Sequence, residues 1–267
     1  MTNPGNTPRS AAQHYDDFFG PLYFEPYALE VARRIKNIPA DIVLEIAAGT
    51  GRVTRHIRQA IPSTAKLIAS DIDEDMLAIA KNKLPYNNIT WQNIDAQELP
   101  FSDNSIDLII CCFGYMYVPD RSKAFQEVYR VLKNGGRFLF TTWDKLEANG
   151  PSFVSRTIAE EYLSEPVPDS HNTATSMSDE TLIRPTLKDA GFDRFSIEKV
   201  KLLSGSITAK EAAAGFVNGG GVYDEIYKQH PGSIREIQIR LEEELTRQFG
   251  AAPMVAPISA VMTEAWK

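Results

Sequence analysis

Residues 41–60 read DIVLEIAAGTGRVTRHIRQA, and this stretch decides the fold. Ile42 to Ile46 is a short apolar run with one acid, Glu45, near its end. A run of that length bounded by small residues reads as a buried strand. Ala47-Ala48-Gly49-Thr50-Gly51 lets the backbone turn sharply, and from Thr50 onward the chain reads as a helix. A strand passing through a small-residue turn directly into a helix opens a βαβ unit, whose next strand lies parallel to the first.

The unit then repeats. LIAS (67–70) is a strand, Asp71-Ile72-Asp73 a turn, and DEDMLAIAKNKL (73–84) a helix with Met76, Leu77 and Ala80 apolar. ITWQ (89–92) is a third strand, and IDLIICCF (106–113) a fourth, apolar on both faces as a central parallel strand must be. A helix over about 122–132 stops at Asn134-Gly135-Gly136, and RFLFTTW (137–143) is a fifth strand. Strands alternating with helices at these lengths predict a doubly wound, Rossmann-like α/β fold with helices on both faces of the sheet. Beyond Trp143 the reading is helix over 150–163 and 178–190, and strand over FSIEKVKLL (195–203). Helices follow at 207–218, 222–229 and 232–249, and APISAVMTEAW (256–266) is a closing strand. The stripe Ile234, Ile237, Leu241, Leu245 is read as helix core.

Ahead of the first strand, residues 1–9 are polar with two prolines and are expected to be irregular. Ser10 to Phe19 is predicted as a short amphipathic helix ending at Gly20-Pro21, and Glu25-Pro26 opens a second helix to about Asn37.

Three turns carry the chemistry. In the first, small residues between strand and helix allow a ligand close to the backbone, and the exposed amides of the helix start favour an anionic group. The competing assignment is a simple tight turn. The pattern is small-x-Gly-x-Gly and lacks the G-x-G-x-x-G spacing of a dinucleotide site, which speaks against a nicotinamide enzyme. Glu45 stands ready to hold a ligand ammonium. The second turn places Asp71 at the end of the next strand, ~20–25 residues on, where nucleotide-binding α/β folds put their ribose acid. A helix cap is the alternative for Asp71, but Asp73 suits that role better. In the third, Asp95 can accept from an adenine amino group with Ala96 and Ile72 beside the ring; alone it would read as a solvated loop acid.

Taken together, residues 41–143 closely resemble the class I S-adenosylmethionine (SAM)-dependent methyltransferases, nearest the subgroup of ubiquinone/menaquinone-biosynthesis C-methyltransferases. VLEIAAGTGRVT is similar to the family's first motif, ASDIDEDML to its ribose motif, NIDAQELPFSDNSIDLIICCFGYMYVPD to its adenine loop and fourth strand, and EVYRVLKNGGRFLFTTWD to the helix and strand beyond. AQHYDDFFGPLYFEPYALEVARRI resembles, more loosely, the lid of a small-molecule branch. The resemblance implies SAM as cofactor, with S-adenosylhomocysteine as product. It implies that Glu45, Ala47, Gly49, Gly51, Asp71, Ile72, Met76, Asp95, Ala96 and Phe113 surround SAM, joined by Tyr15 from the lid. Ala47 stands where many members have glycine, which is tolerated if its φ stays negative. A seven-stranded sheet with its last strand antiparallel is implied as well. The whole chain then forms one methyltransferase domain: lid 1–40, SAM-binding core 41–145, and a C-terminal half 146–267 with a helical cap inserted at about 205–255.

The expected reaction is in-line methyl transfer to a small-molecule acceptor. Residues 10–24 are expected to close over the cofactor, with Tyr15, Phe18 and Phe19 offering aromatic faces. Tyr115, Tyr117 and Trp143 sit at the carboxyl edge of the strands and are the candidates for lining the acceptor site. No catalytic residue is assigned; His14, beside Tyr15, is the one candidate base, against a plain surface histidine. His171 is read as solvent-exposed, and Cys111 and Cys112 as small buried hydrophobes. A SAM-binding protein without transfer activity and a macromolecular methyltransferase are the competing readings. The net charge of −7 with no block of like charge argues against a nucleic-acid partner. With no metal-ligand cluster, no leader and no apolar run long enough to span a bilayer, a cytoplasmic protein without a metal is expected.

Overall fold

The computed structural model describes residues 10–86 and 88–267; residues 1–9, expected to be irregular, lie outside that range. The described chain opens as α1 (Ala11–His14), continues as a wide-turned helix over Tyr15–Phe24, and runs on into α2 (Glu25–Ile35). The predicted stop at Gly20-Pro21 is therefore corrected. A proline has no amide hydrogen and crowds the carbonyl four residues back, so it breaks an ordinary helix. Here the turn widens instead, and the Glu25 amide donates to the Gly20 carbonyl five residues earlier. Pro26 falls in the first turn of α2, as its position predicts.

The core follows in the expected alternation: β1 (Ile42–Ile46), α3 (Arg52–Ala60), β2 (Lys66–Asp71), α4 (Glu74–Lys83), β3 (Ile89–Asn93), β4 (Ile106–Cys112), α5 (Arg121–Val131) and β5 (Leu132–Trp143). The C-terminal half adds α6 (Gly150–Glu160), α7 (Glu180–Ala190), β6 (Arg194–Leu203), α8 (Ala209–Val217), α9 (Val222–Gln229), α10 (Ile234–Phe249) and β7 (Pro257–Trp266). The seven strands form one sheet in the order β3-β2-β1-β4-β5-β7-β6. β1 through β5 pair in parallel, and β7 runs antiparallel to both β5 and β6. The fold is the seven-stranded Rossmann-like sheet that the sequence implies, with its last strand antiparallel.

β4 lies at the centre because its residues are apolar on both faces. Leu108, Ile109 and Ile110 are completely buried, and each contributes about 1.5–3 kcal/mol by leaving water. From β1 the order runs outward to β2 and β3, and from β4 to β5, so the crossovers on the two sides leave in opposite directions. That reversal opens a crevice at the carboxyl edge between β1 and β4.

The helices α8, α9 and α10 lie between β6 and β7 in sequence. Ile237, Leu241 and Leu245 of α10 are fully buried, as the stripe predicts. Among the described residues, no helix is long and apolar enough to cross a membrane.

Candidate functional site

The turn after β1 is built from left-handed residues: Ala47 at φ 56°, Gly49 at φ 55° and Gly51 at φ 80°. The expectation of a negative φ at Ala47 is corrected. An alanine held there costs about 1–3 kcal/mol, and the surrounding bonds impose it. The Ala48 amide donates to the Ser70 carbonyl at 2.9 Å, and the Gly49 amide to Asp71 Oδ2 at 2.7 Å. A Cβ on Gly49 would meet nothing within 4 Å, so this residue opens onto free space.

Asp71 takes a second amide bond, from Asp73, on Oδ1 at 2.9 Å. Burial pushes its carboxyl above the ordinary range. Asp73 caps α4 by accepting from the amides of Asp75 and Met76, the division of labour that the sequence predicts. Asp95 is oriented by Gln97, whose backbone amide donates to Oδ1 at 2.8 Å and whose side chain donates to both carboxylate oxygens at 3.1 Å.

These groups border a cavity of about 450 Å³ at the carboxyl edge of the sheet. Of the predicted cofactor residues, Tyr15, Ala47, Gly49, Asp71, Ile72, Met76, Asp95, Ala96 and Phe113 line it. Glu45 and Gly51 do not. Gly51 faces α4, where a Cβ would come within 3.0 Å of Leu84 and 3.1 Å of Ala80. Glu45 is 1% exposed at the end of β1. Its Oε2 has no hydrogen-bond partner, and burial, with the charge of Asp71, pushes its carboxyl up to about 8.

A second cavity, of about 330 Å³, adjoins the first. Tyr15, Phe24, Tyr117 and Trp143 line both. Trp143 is held by stacking on Phe113 at 3.9 Å and by the edge of Tyr23 at 5.3 Å. Tyr117 is 60% exposed at the rim. Tyr115 is corrected: it is completely buried, lines neither cavity and stacks on Phe125 at 4.7 Å. The short 3-10 turn of Tyr115–Tyr117 points alternate tyrosines in opposite directions, one to the core and one to the crevice.

His14 lines neither cavity. Its Nε2–H donates to the Gly215 carbonyl of α8 at 2.8 Å, and its ring packs on Phe18. A nitrogen committed to a carbonyl is no proton acceptor, so His14 ties the N-terminal helix to the cap. Phe18 packs on His14 and fills the space at Gly215, while Phe19 lines the second cavity. The N-terminal segment is also tied to the core through Asp16, which is buried. Asp16 receives Lys83 Nζ at 2.6 Å, the Thr50 hydroxyl at 2.7 Å and Arg52 at 3.3 Å. Burial pushes the Asp16 carboxyl up, but Lys83 and Thr50 more than offset it and hold it below its usual range.

The methyltransferase domain family model matches residues 43–136. The ubiquinone/menaquinone biosynthesis C-methyltransferase UbiE of Rickettsia felis is 33% identical over 69% of this chain and 79% of its own length. The UbiE of Pseudoalteromonas translucida is 30% identical over 62% of this chain and 71% of its own. The chain belongs to the class I SAM-dependent methyltransferases. Its backbone also resembles phosphoethanolamine N-methyltransferase 2 of Haemonchus contortus, solved with SAM, at a TM-score of 0.59 and 19% identity over 96% of this chain and 56% of that one. The YcgJ protein of Bacillus subtilis gives 0.56 and 20% over 91% and 98%.

The methyl donor of this methyltransferase is SAM, and the residues present fit it. The cavity sits at the switch point, has acids on its wall, and stays open at Gly49, while Glu45 keeps an orphaned carboxylate oxygen behind the turn. Among the described residues, no group of three or more His, Cys, Asp or Glu side chains is placed to hold a metal. Sequence reasoning missed Phe24, Gln97 and Gly114 of the first cavity, and Ser152, Arg156, His171 and Phe216 of the second. Gly114 had a local signal, since it follows the fourth strand; a Cβ there would lie 2.4 Å from Ala47 Cβ. The others come from distant segments and carry no local signal. His171, read as exposed, is half-buried and lines the second cavity.

Proposed function

We propose that this methyltransferase moves the methyl group of SAM to a small-molecule acceptor held in the second cavity. The observation that carries this reading is the wall shared by the two cavities, Tyr15, Phe24, Tyr117 and Trp143. A methyl donor in one space and an acceptor in the other would meet across it. In the first cavity Asp71 would accept the ribose hydroxyls, Asp95 the adenine amino group, and the turn at Gly49 would receive the methionine carboxylate. Glu45, behind that turn, would balance the ammonium. SAM supplies an activated methyl group. What the protein supplies is alignment and exclusion of water.

The lid supports a small acceptor rather than a macromolecule. It is latched to the core through Asp16 and to the cap through His14, so the second cavity lies beneath it. The relatives' description as enzymes of ubiquinone and menaquinone biosynthesis agrees with an acceptor of that size. The test is to incubate the purified chain with SAM and a panel of small aromatic and aliphatic acceptors, and to measure S-adenosylhomocysteine. Turnover on a small acceptor, reduced by Trp143→Ala, is expected. Turnover confined to protein or nucleic acid would overturn the reading, as would SAM binding without turnover on any acceptor.

A further inference from the structure

The second cavity carries information about the class of acceptor, an inference that rests on the reading above. Its walls are aromatic, formed by Phe19, Phe24, Tyr117, Trp143 and Phe216. Such walls suit a flat conjugated molecule. No carboxylate lines the cavity, whereas Arg156 and His171 both do. A cationic acceptor would therefore face a fixed guanidinium with no counter-charge on the wall.

The polar side chains around it are mostly committed. Asn149 accepts from the Ser259 amide at 3.0 Å and donates to the Ser259 carbonyl at 3.1 Å. The hydroxyls of Ser152 and Tyr23 bond each other at 2.5 Å. Arg156 donates to Asn172 Oδ1 at 2.8 Å and to the backbone carbonyl of His171 at 3.4 Å, fixing the short helix of Asp169–Thr175 that carries His171. Arg121 anchors that segment from its other end, donating to Ser176 Oγ at 2.7 Å and to the Met116 carbonyl at 2.8 Å. This bridge holds the His171 segment beside Tyr117, one of the residues common to both cavities. The imidazole of His171 itself has no hydrogen-bond partner among the described residues.

We propose that the second cavity takes a flat, conjugated acceptor bearing a weakly acidic hydroxyl, and that His171 is the proton acceptor of the transfer. The acceptor oxygen bonds to the methyl carbon as the carbon–sulfur bond breaks, its electron pair remaining on sulfur. The hydroxyl proton passes to the free imidazole nitrogen. The sulfonium charge of the donor thereby becomes the charge of a histidinium, and S-adenosylhomocysteine leaves neutral at sulfur.

The test uses the full chain loaded with S-adenosylhomocysteine and titrated by calorimetry with two probes of one shape, naphthol and naphthylmethylammonium. Naphthol is expected to bind at least about tenfold more tightly. With SAM in place, naphthol is expected to be O-methylated. His171→Ala should keep its affinity for S-adenosylhomocysteine and lose about 10²–10⁴-fold in kcat, and imidazole added to His171→Gly should restore part of the rate. If the ammonium binds as well as naphthol, or naphthol does not bind, the acceptor class is overturned. If wild type leaves bound naphthol unmethylated, or His171→Ala turns over at the wild-type rate, the role of His171 is overturned. Failure of S-adenosylhomocysteine to bind would instead strike the cofactor reading beneath both.

Discussion

The Gly49 amide donates to Asp71 Oδ2 at 2.7 Å, so the glycine turn after β1 and the acid at the end of β2 form one unit. The bond places the Asp71 carboxylate while leaving lone pairs on both oxygens, since each accepts one backbone amide. Asp71→Ala removes the proposed ribose partner and the brace of the turn together. SAM affinity in a calorimetric titration is expected to fall about 100-fold or more, the equivalent of two hydrogen bonds to a charged group. Asp71→Asn, which can keep one amide bond, should fall between. An Asp71→Ala protein that binds SAM as wild type does would remove the acid from the cofactor site.

The latch between Asp16 and Lys83 joins the N-terminal helix to α4. Lys83→Met leaves Asp16 buried with less compensation, which should destabilise the protein by about 1–3 kcal/mol, a range lowered because Lys83 is partly exposed. The sign of the pH dependence follows from the lowered carboxyl of Asp16. Its contribution is present above the ordinary carboxylate range and is lost as pH falls through its lowered folded value. In Lys83→Met that acid loss should begin at higher pH in denaturant titrations. Limited proteolysis should cut first within residues 10–24. Wild-type acid stability in Lys83→Met would show that the latch holds nothing.

Glu45 has the opposite sign. Its folded carboxyl is raised to about 8, so the stabilisation of its protonated form is complete below about pH 4.3 and is lost as pH rises to about 8. Glu45→Gln mimics the protonated form permanently. It is expected to match wild type in stability near pH 4 and to exceed it by about 2–4 kcal/mol at pH 8, read from urea unfolding of the ligand-free protein. A constant difference across that window would refute the assignment.

Tyr115 tests the division within the Tyr115–Tyr117 turn. Its hydroxyl is buried without a partner, so Tyr115→Phe removes an unsatisfied group and should leave stability unchanged or raise it by about 1 kcal/mol. Methyl transfer should be unaffected. Tyr117→Ala, at the wall common to both cavities, should raise KM for the acceptor. Lost activity in Tyr115→Phe would return that residue to the acceptor site.

Every element of the sheet could be read from the sequence because strands and helices are set by local patterns: the apolar run of β4, the small-residue turn after β1, the capping acid before α4. The same locality made Asp71 and Asp73 separable, since a cap and a strand-end acid differ by two positions. It failed at Ala47, whose side chain alone suggests ordinary backbone; the bonds from Ala48 and Gly49 to β2 force the left-handed turn. It failed again at Pro21, where a helix widened rather than stopped.

The sequence by itself determined the order of strands and helices, the crevice between β1 and β4, and most of the acids and small residues around the first cavity. These lie at strand ends, and the parallel sheet brings all strand ends to one edge. Tertiary structure alone decided the second cavity. His171 and Arg156 reach it from segments whose sequence shows only polar spacing, and His14 is turned from it by a carbonyl 201 positions away. Contacts of that range depend on how packed layers meet, which no periodicity within a single element encodes.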